Sequence, residues 1–135
     1  MVKKMHKIII NKDPVACPRP RVTRFGVYYP KKYQEYKDYL KDYLISLNLK
    51  KLEDNALYLN IIFNIQIPNS MSKKKKQELI GKYVIKKPDI DNYLKSIMDG
   101  MNGIIYKDDN QIASINIIKK YVIDNPNSEI EIGYL

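Results

Sequence analysis

Residues 57–67 alternate strictly, with Leu57, Leu59, Ile61, Phe63, Ile65 and Ile67 on one side and Tyr58, Asn60, Asn64 and Gln66 on the other. Successive side chains leave a strand on opposite faces, so this pattern predicts a half-buried strand, ended by Pro68-Asn69-Ser70. Ile8-Ile9-Ile10, within 3–12, predicts a strand with enough apolar residues to be buried on both faces. The stretch 112–123 predicts another strand, its imperfect alternation implying a bulge. Asp124–Ser128 then turns the chain into a last strand, Glu129–Leu135, with Ile130 and Ile132 inward. Helical spacing governs the rest. Tyr33, Tyr36, Leu40, Tyr43, Leu44 and Leu47 predict a helix from Lys31 to about Leu47 with a tyrosine-rich face, which either packs on a sheet or offers bases a stacking platform. Ser70 or Ser72 is expected to cap a short helix through Leu79-Ile80, stopped at Gly81. The clearest helix runs from Asp89 to Asn102, where Ile90, Tyr93, Leu94, Ile97, Met98 and Met101 form an apolar stripe and Gly103 supplies the stop. Pro14, Pro18, Pro20, Gly26 and Pro30 punctuate 13–30 as a loop or irregular hairpin. The expected class is α+β: a small mixed β-sheet with a C-terminal antiparallel hairpin and two main helices, in one domain over 1–135.

Charge narrows the partners. Lys and Arg number 24 against 15 Asp and Glu, a net +9 that favours nucleic acid or an anionic membrane surface. No apolar run approaches the roughly 18–20 residues of a membrane span and no signal-like segment opens the chain, so a cytoplasmic setting is expected. Cys17 is the single cysteine and His6 the single histidine, too few for a zinc site and poorly placed for a thiol–imidazole pair. A metal here would be a hard cation held by oxygen.

Against that basic background, Lys86-Lys87-Pro88-Asp89-Ile90-Asp91-Asn92-Tyr93-Leu94-Lys95 and Asp108-Asp109 gather acids with lysines. A metal-dependent enzyme acting on a polyanion needs acids for the ion and lysines for phosphate. Each piece has a plainer reading. Asp89 suits a helix N-cap and Asp91 the first turn, and Asp91 with Lys95 makes an i,i+4 pair worth a few tenths of a kcal/mol. A strand returning after Asp108-Asp109 would bring that pair toward the helix start. Asp99 lies about 12 Å along the helix from Asp91 and is assigned to surface or structural hydrogen bonding. Lys73, Lys74, Lys75 and Lys76 are either a solvated face or phosphate contacts, and Arg19, Arg21 and Arg24 form a second basic cluster. An EF-hand is excluded by Leu94 at its glycine position, a nucleotidyltransferase by the missing Gly-Ser turn, and a mononucleotide pocket by the absence of any glycine-rich phosphate loop.

At these residues the chain resembles the RusA family of Holliday-junction resolvases. The matching block is Lys87-Pro88-Asp89-Ile90-Asp91-Asn92-x-x-Lys95, Asp99, Asn102-Gly103-Ile104, Tyr106-Lys107-Asp108-Asp109 and Gln111-Ile112. Pro18–Arg21, Tyr29–Lys31 and Ser70–Lys75 extend it, and Pro88 stands where one member has an aromatic residue. The resemblance implies a homodimeric, Mg²⁺-dependent endonuclease, often of phage or prophage origin, that nicks four-way DNA junctions symmetrically, with Mn²⁺ able to substitute. It implies that Asp89, Asp91 and Asp109 are catalytic, metal-binding acids, that Asp108 supports them and that Lys95 is the catalytic lysine. The expected DNA contacts are Arg19, Arg21, Arg24, Lys73–Lys76, Lys86 and Lys87. Two other readings share the charge: a basic, non-catalytic nucleic-acid-binding module, and a nuclease for other branched or flapped DNA.

Overall fold

The strictly alternating segment becomes the middle of a sheet. The computed structural model describes residues 5–135. Strand β4 (Leu57–Gln66) pairs in parallel with β5 (Ile112–Val122) and antiparallel with β6 (Asn127–Tyr134), and β6 pairs antiparallel with the edge strand β1 (Met5–Ile10). The order β1-β6-β4-β5 makes the sheet mixed, as the α+β reading expects. The two C-terminal strands run antiparallel to each other but straddle β4 rather than touching. The expected bulge lies where Leu57 pairs with Ile112 and Tyr58 with Ser114, which leaves Ala113 over.

One face of this sheet makes the core. Ile8 and Ile10, Leu57, Leu59, Ile61 and Phe63, and Ile130 and Ile132 share that face and are buried. Helices α1 (Lys31–Ser46) and α3 (Ile90–Met101) cover it with Tyr36, Leu40 and Leu44 and with Tyr93, Ile97 and Met101. Burying each such side chain is worth about 1.5–3 kcal/mol, so the helices are held by their apolar stripes. Among the described residues the far face carries no helix. That is why β1, apolar enough for burial on both sides, alternates instead, with Lys7 and Ile9 exposed. Lys3 and Lys4 of that expected strand lie outside the described residues. Tyr33 and Tyr36 are buried, so the tyrosine face of α1 is mostly packing.

Short helix α2 (Lys73–Leu79) starts at Ser72, whose Oγ accepts the Lys75 N–H at 3.2 Å. Its Leu79 packs with Met71 on a small second cluster of Ile67, Val84 and Tyr121. The segment after it covers the outer edge of β5, where Gly81 and Val84 N–H donate to Tyr121 and Lys119 carbonyls. Between β1 and α1 the chain forms a separate two-stranded ribbon, β2 (Arg21–Thr23) and β3 (Gly26–Tyr28). Among the described residues no helix is long and apolar enough to cross a membrane.

The helices meet at Gly100, where an added Cβ would lie 3.0 Å from Leu40 Cδ1 and 3.3 Å from Leu40 Cβ. Leu40 is fully buried there. Leu40→Ala should therefore cost about 2–5 kcal/mol. Urea denaturation of both proteins measures it, and a loss below about 1 kcal/mol would contradict this account of the helix seating.

Candidate active site

Pro88 disfavours helical backbone at Lys87, so the chain enters α3 extended. Asp89 occupies the N-cap with φ −69° and ψ 149°, yet its side chain makes no capping hydrogen bond. Capping therefore does not account for this carboxylate. Asp91 follows in the first turn. Both are exposed, and neither joins an ion pair among the described residues.

Basic groups flank this acid pair. Arg19, Lys87, Pro88, Asp89 and Asn92 line a concavity of about 630 Å³ together with Ala16–Pro18. The Cys17 N–H donates to the Asn92 carbonyl at 2.9 Å, which pins that wall to the first turn of α3. On the other side, Lys119 Nζ donates to the carbonyls of Lys86 (2.9 Å) and Pro88 (2.8 Å), and Asp89 shares a second concavity with it. Nothing in the strand pattern singles out Lys119. Its place follows from β5 running back along α3, which only the tertiary fold decides. The other expected DNA contacts are spread outward: Lys73–Lys75 and Lys86 are exposed, Lys76 is half-buried, and Arg21 and Arg24 sit on the ribbon.

Farther up α3 the acids are engaged. Lys95 pairs with Asp99 (3.2 Å to Oδ2), not with Asp91, so the alternative i,i+4 partner holds its ammonium. That hydrogen bond, with the charge of Asp99, raises the Lys95 pKa above its ordinary value. Asp99 also accepts from the Tyr33 hydroxyl at 3.4 Å, the structural role expected of it. Tyr106, fully buried, donates to Asp109 Oδ1 at 2.5 Å and lies 3.4 Å from the Met98 carbonyl. Burial first, and then Asp109, raise its pKa well above the ordinary phenol value, so it remains the donor. Asp108 serves its own turn. Its Oδ1 accepts the Asn110 N–H at 3.1 Å, while Gln111 Oε1 accepts the N–H groups of Lys107 and Asp108.

The expected meeting of Asp108-Asp109 with the helix start is therefore not what the fold makes. Strand β5 runs antiparallel to α3, so its first residues lie beside the far half of the helix and Lys119, near its end, lies beside the start. Asp109 sits by Met98, seven residues from Asp91 and thus about 10 Å along the axis. Among the described residues no three His, Cys, Asp or Glu side chains are gathered closely enough to hold a metal. The donors at the helix start are nevertheless oxygens alone, the set that suits Mg²⁺ or Mn²⁺, and Asp89 and Asp91 are uncommitted. His6 and Cys17 take no part as a pair: His6 Nε2 is 2.7 Å from the Lys50 carbonyl, and Cys17 is buried with its thiol turned to Pro18 O.

Asn92, Tyr106 and Lys119 are the residues that sequence patterning passed over for a place at the site. Tyr106 fell within the matched block but carried no assigned role. Two comparisons bear on the same residues. A family profile described as Endodeoxyribonuclease RusA matches residues 11–133, which takes in every one of these groups except His6. An uncharacterized protein of Bacillus subtilis (strain 168), YqaN, is 31% identical over 134 residues, covering 93% of this chain and 94% of that protein. With uncommitted acids ringed by cations at the helix start and the profile spanning almost the whole fold, the chain belongs to the RusA family of endodeoxyribonucleases.

Proposed function

We propose that this endodeoxyribonuclease resolves four-way DNA junctions by paired, symmetric, Mg²⁺-dependent nicks. The observation that carries the reading is the uncommitted pair Asp89 and Asp91 with Arg19, Lys87 and Lys119 around it. Asp89 and Asp91 would hold the cation. When bound, Mg²⁺ (or Mn²⁺) supplies Lewis-acid activation and neutralises phosphate charge. Lys95 offsets charge developing on the scissile phosphate, its ammonium kept protonated by Asp99. Asp109, oriented by Tyr106, is the third acid of the strip, and Asp108 stiffens the turn that presents it. Arg19, Lys86 and Lys87 contact the backbone near the cut, while Arg21, Arg24 and Lys73–Lys76 contact it farther along the arms. Two copies related by a two-fold axis match the junction's own symmetry and place one cut on each of two strands.

Asp91→Asn should reduce junction cleavage by at least about 100-fold, since several kcal/mol of charge stabilisation depend on the ion, while junction binding persists. Nicking at the wild-type rate would remove Asp91 from the site and favour a non-catalytic binding module. A panel of four-way, three-way, flap and linear substrates tests selectivity; equal cutting of linear duplex would defeat junction resolution. Asp99→Asn removes the group that raises the Lys95 pKa. A lower pKa means the ammonium is lost sooner as pH rises, so the alkaline limb of the rate profile should move to lower pH. An unmoved limb would show that Lys95 does not act as a cation in the rate-limiting step. If about 6–8 phosphates are contacted, log K for binding should fall with log salt at a slope near −5 to −7.

A further inference from the structure

The β2–β3 ribbon exposes apolar side chains that the site described above does not use. Its strands belong to no larger sheet, and all eight residues Arg21–Tyr28 are exposed. Phe25, at the turn, is 86% exposed, Val22 77% and Val27 64%. Val22 and Val27 pair directly, so they make one apolar patch on one face, while Arg21 and Tyr28 pair on the other. A two-stranded ribbon is marginal alone, and apolar groups placed outward on it gain nothing from the core. The tip is nonetheless ordered by its own bonds. Thr23 Oγ1 accepts the Phe25 N–H at 3.2 Å and donates to the Gly26 carbonyl at 3.3 Å. Gly26 has φ +130°, open to glycine, and the Arg24 guanidinium lies 4.8 Å from the Phe25 ring centre.

The incoming root of the ribbon stands on α3 and the outgoing root on α1. The incoming root is the Cys17–Asn92 bond, two residues before Arg19 in the concavity it shares with Asp89. The outgoing root is Tyr29, whose ring lies 5.1 Å from that of Tyr33, the partner of Asp99. The ribbon is therefore rooted on the helix that carries the acids and on the α1 residue that bonds to Asp99. Phe25 is six residues beyond Arg19, so it reaches no more than about 20 Å from that side of the site.

We propose that this ribbon is a finger that stacks Phe25 on an unpaired or unstacked base at the branch point of DNA, with Arg21 and Arg24 on the adjoining phosphates. The proposal rests on the junction-cutting reading and names the part of the substrate that the chain senses. Charge complementarity selects the occupant: Arg24 lies against the Phe25 ring and Arg21 stands on the ribbon's other face, cations beside an exposed aromatic group as a polyanion carrying aromatic faces requires. An intact duplex hides those faces by stacking, whereas a branch point offers them. The finger thus ties cutting to the presence of a branch within its reach.

The full-length protein is bound, without divalent metal, to a four-way junction carrying 2-aminopurine at the branch and to a linear duplex carrying it internally. Wild type should change the fluorescence of the junction probe and not of the linear one. Phe25→Ala, whose side chain is exposed and should leave the melting temperature unmoved, should abolish that change, and Phe25→Tyr should keep it. With Mg²⁺, junction cleavage by Phe25→Ala should fall roughly 5- to 100-fold, the factor set by one lost base–aromatic stack. A fluorescence response identical in Phe25→Ala overturns the finger even if wild type cuts junctions. Loss of self-association in Phe25→Ala, read by sedimentation, also overturns it and assigns the patch to contact between copies. A Phe25-dependent response from a protein that cuts no junction would sustain the finger and defeat the nuclease reading, so the two failures are distinguishable.

Discussion

Helix α3 packs against α1 and the sheet, and the close approach of Gly100 to Leu40 sets how deep it sits. Tyr93, Ile97 and Met101 bury one side of it, leaving the opposite side to carry charge. Because the buried stripe recurs every three or four residues, the rotation of the helix about its axis is fixed by packing. Asp91, Lys95 and Asp99, spaced by four, are then obliged to line up on the outward side. A substituent on Gly100 would shift the helix against the sheet, and the acids with it.

This seating also decides which charges are committed. Asp99 is held by Lys95 and Tyr33, Asp109 by Tyr106, and Asp108 by the backbone of its own turn. Asp89 is the one placed as a cap that does not cap. A carboxylate left in solvent beside Arg19 and Lys87 gains little for stability, since exposed charges interact weakly through water. The cations around it make the surface attractive to phosphate.

The two faces of the sheet divide the work. One is covered by α1 and α3 and backs the site; on the other, Asn60 and Asn64 donate to Glu131 and Glu129 beside Lys7 and Lys120, so its charges balance. Basic groups gather near the end of the molecule where β5, α2 and the start of α3 meet, because Lys119 is tied to the loop that leads into α3. The ribbon rises from that same end.

Much of this was legible in the residues because it depends on local periodicity. Alternation in 57–67 and the helical stripe in 89–102 place the elements to within a residue or so. Three consecutive isoleucines in β1 allow burial on both faces but cannot say whether a second layer covers the sheet, and here none does over the described residues. A strand after Asp109 can return that acid toward the helix start, but local pattern contains no direction: the pairing of β5 with β4 brings Lys119 there and leaves Asp109 beside Met98. Tyr106 and Asn92 were invisible as functional groups because their roles are contacts across the chain. The amino-acid sequence alone determined the elements, the charge and the chemical identity of the acids, since these need only neighbours in the chain. Which acids stand free, which cations face them and where the apolar ribbon points were decided by the tertiary structure, because strand order and helix rotation are set by burial of surfaces far apart in the chain.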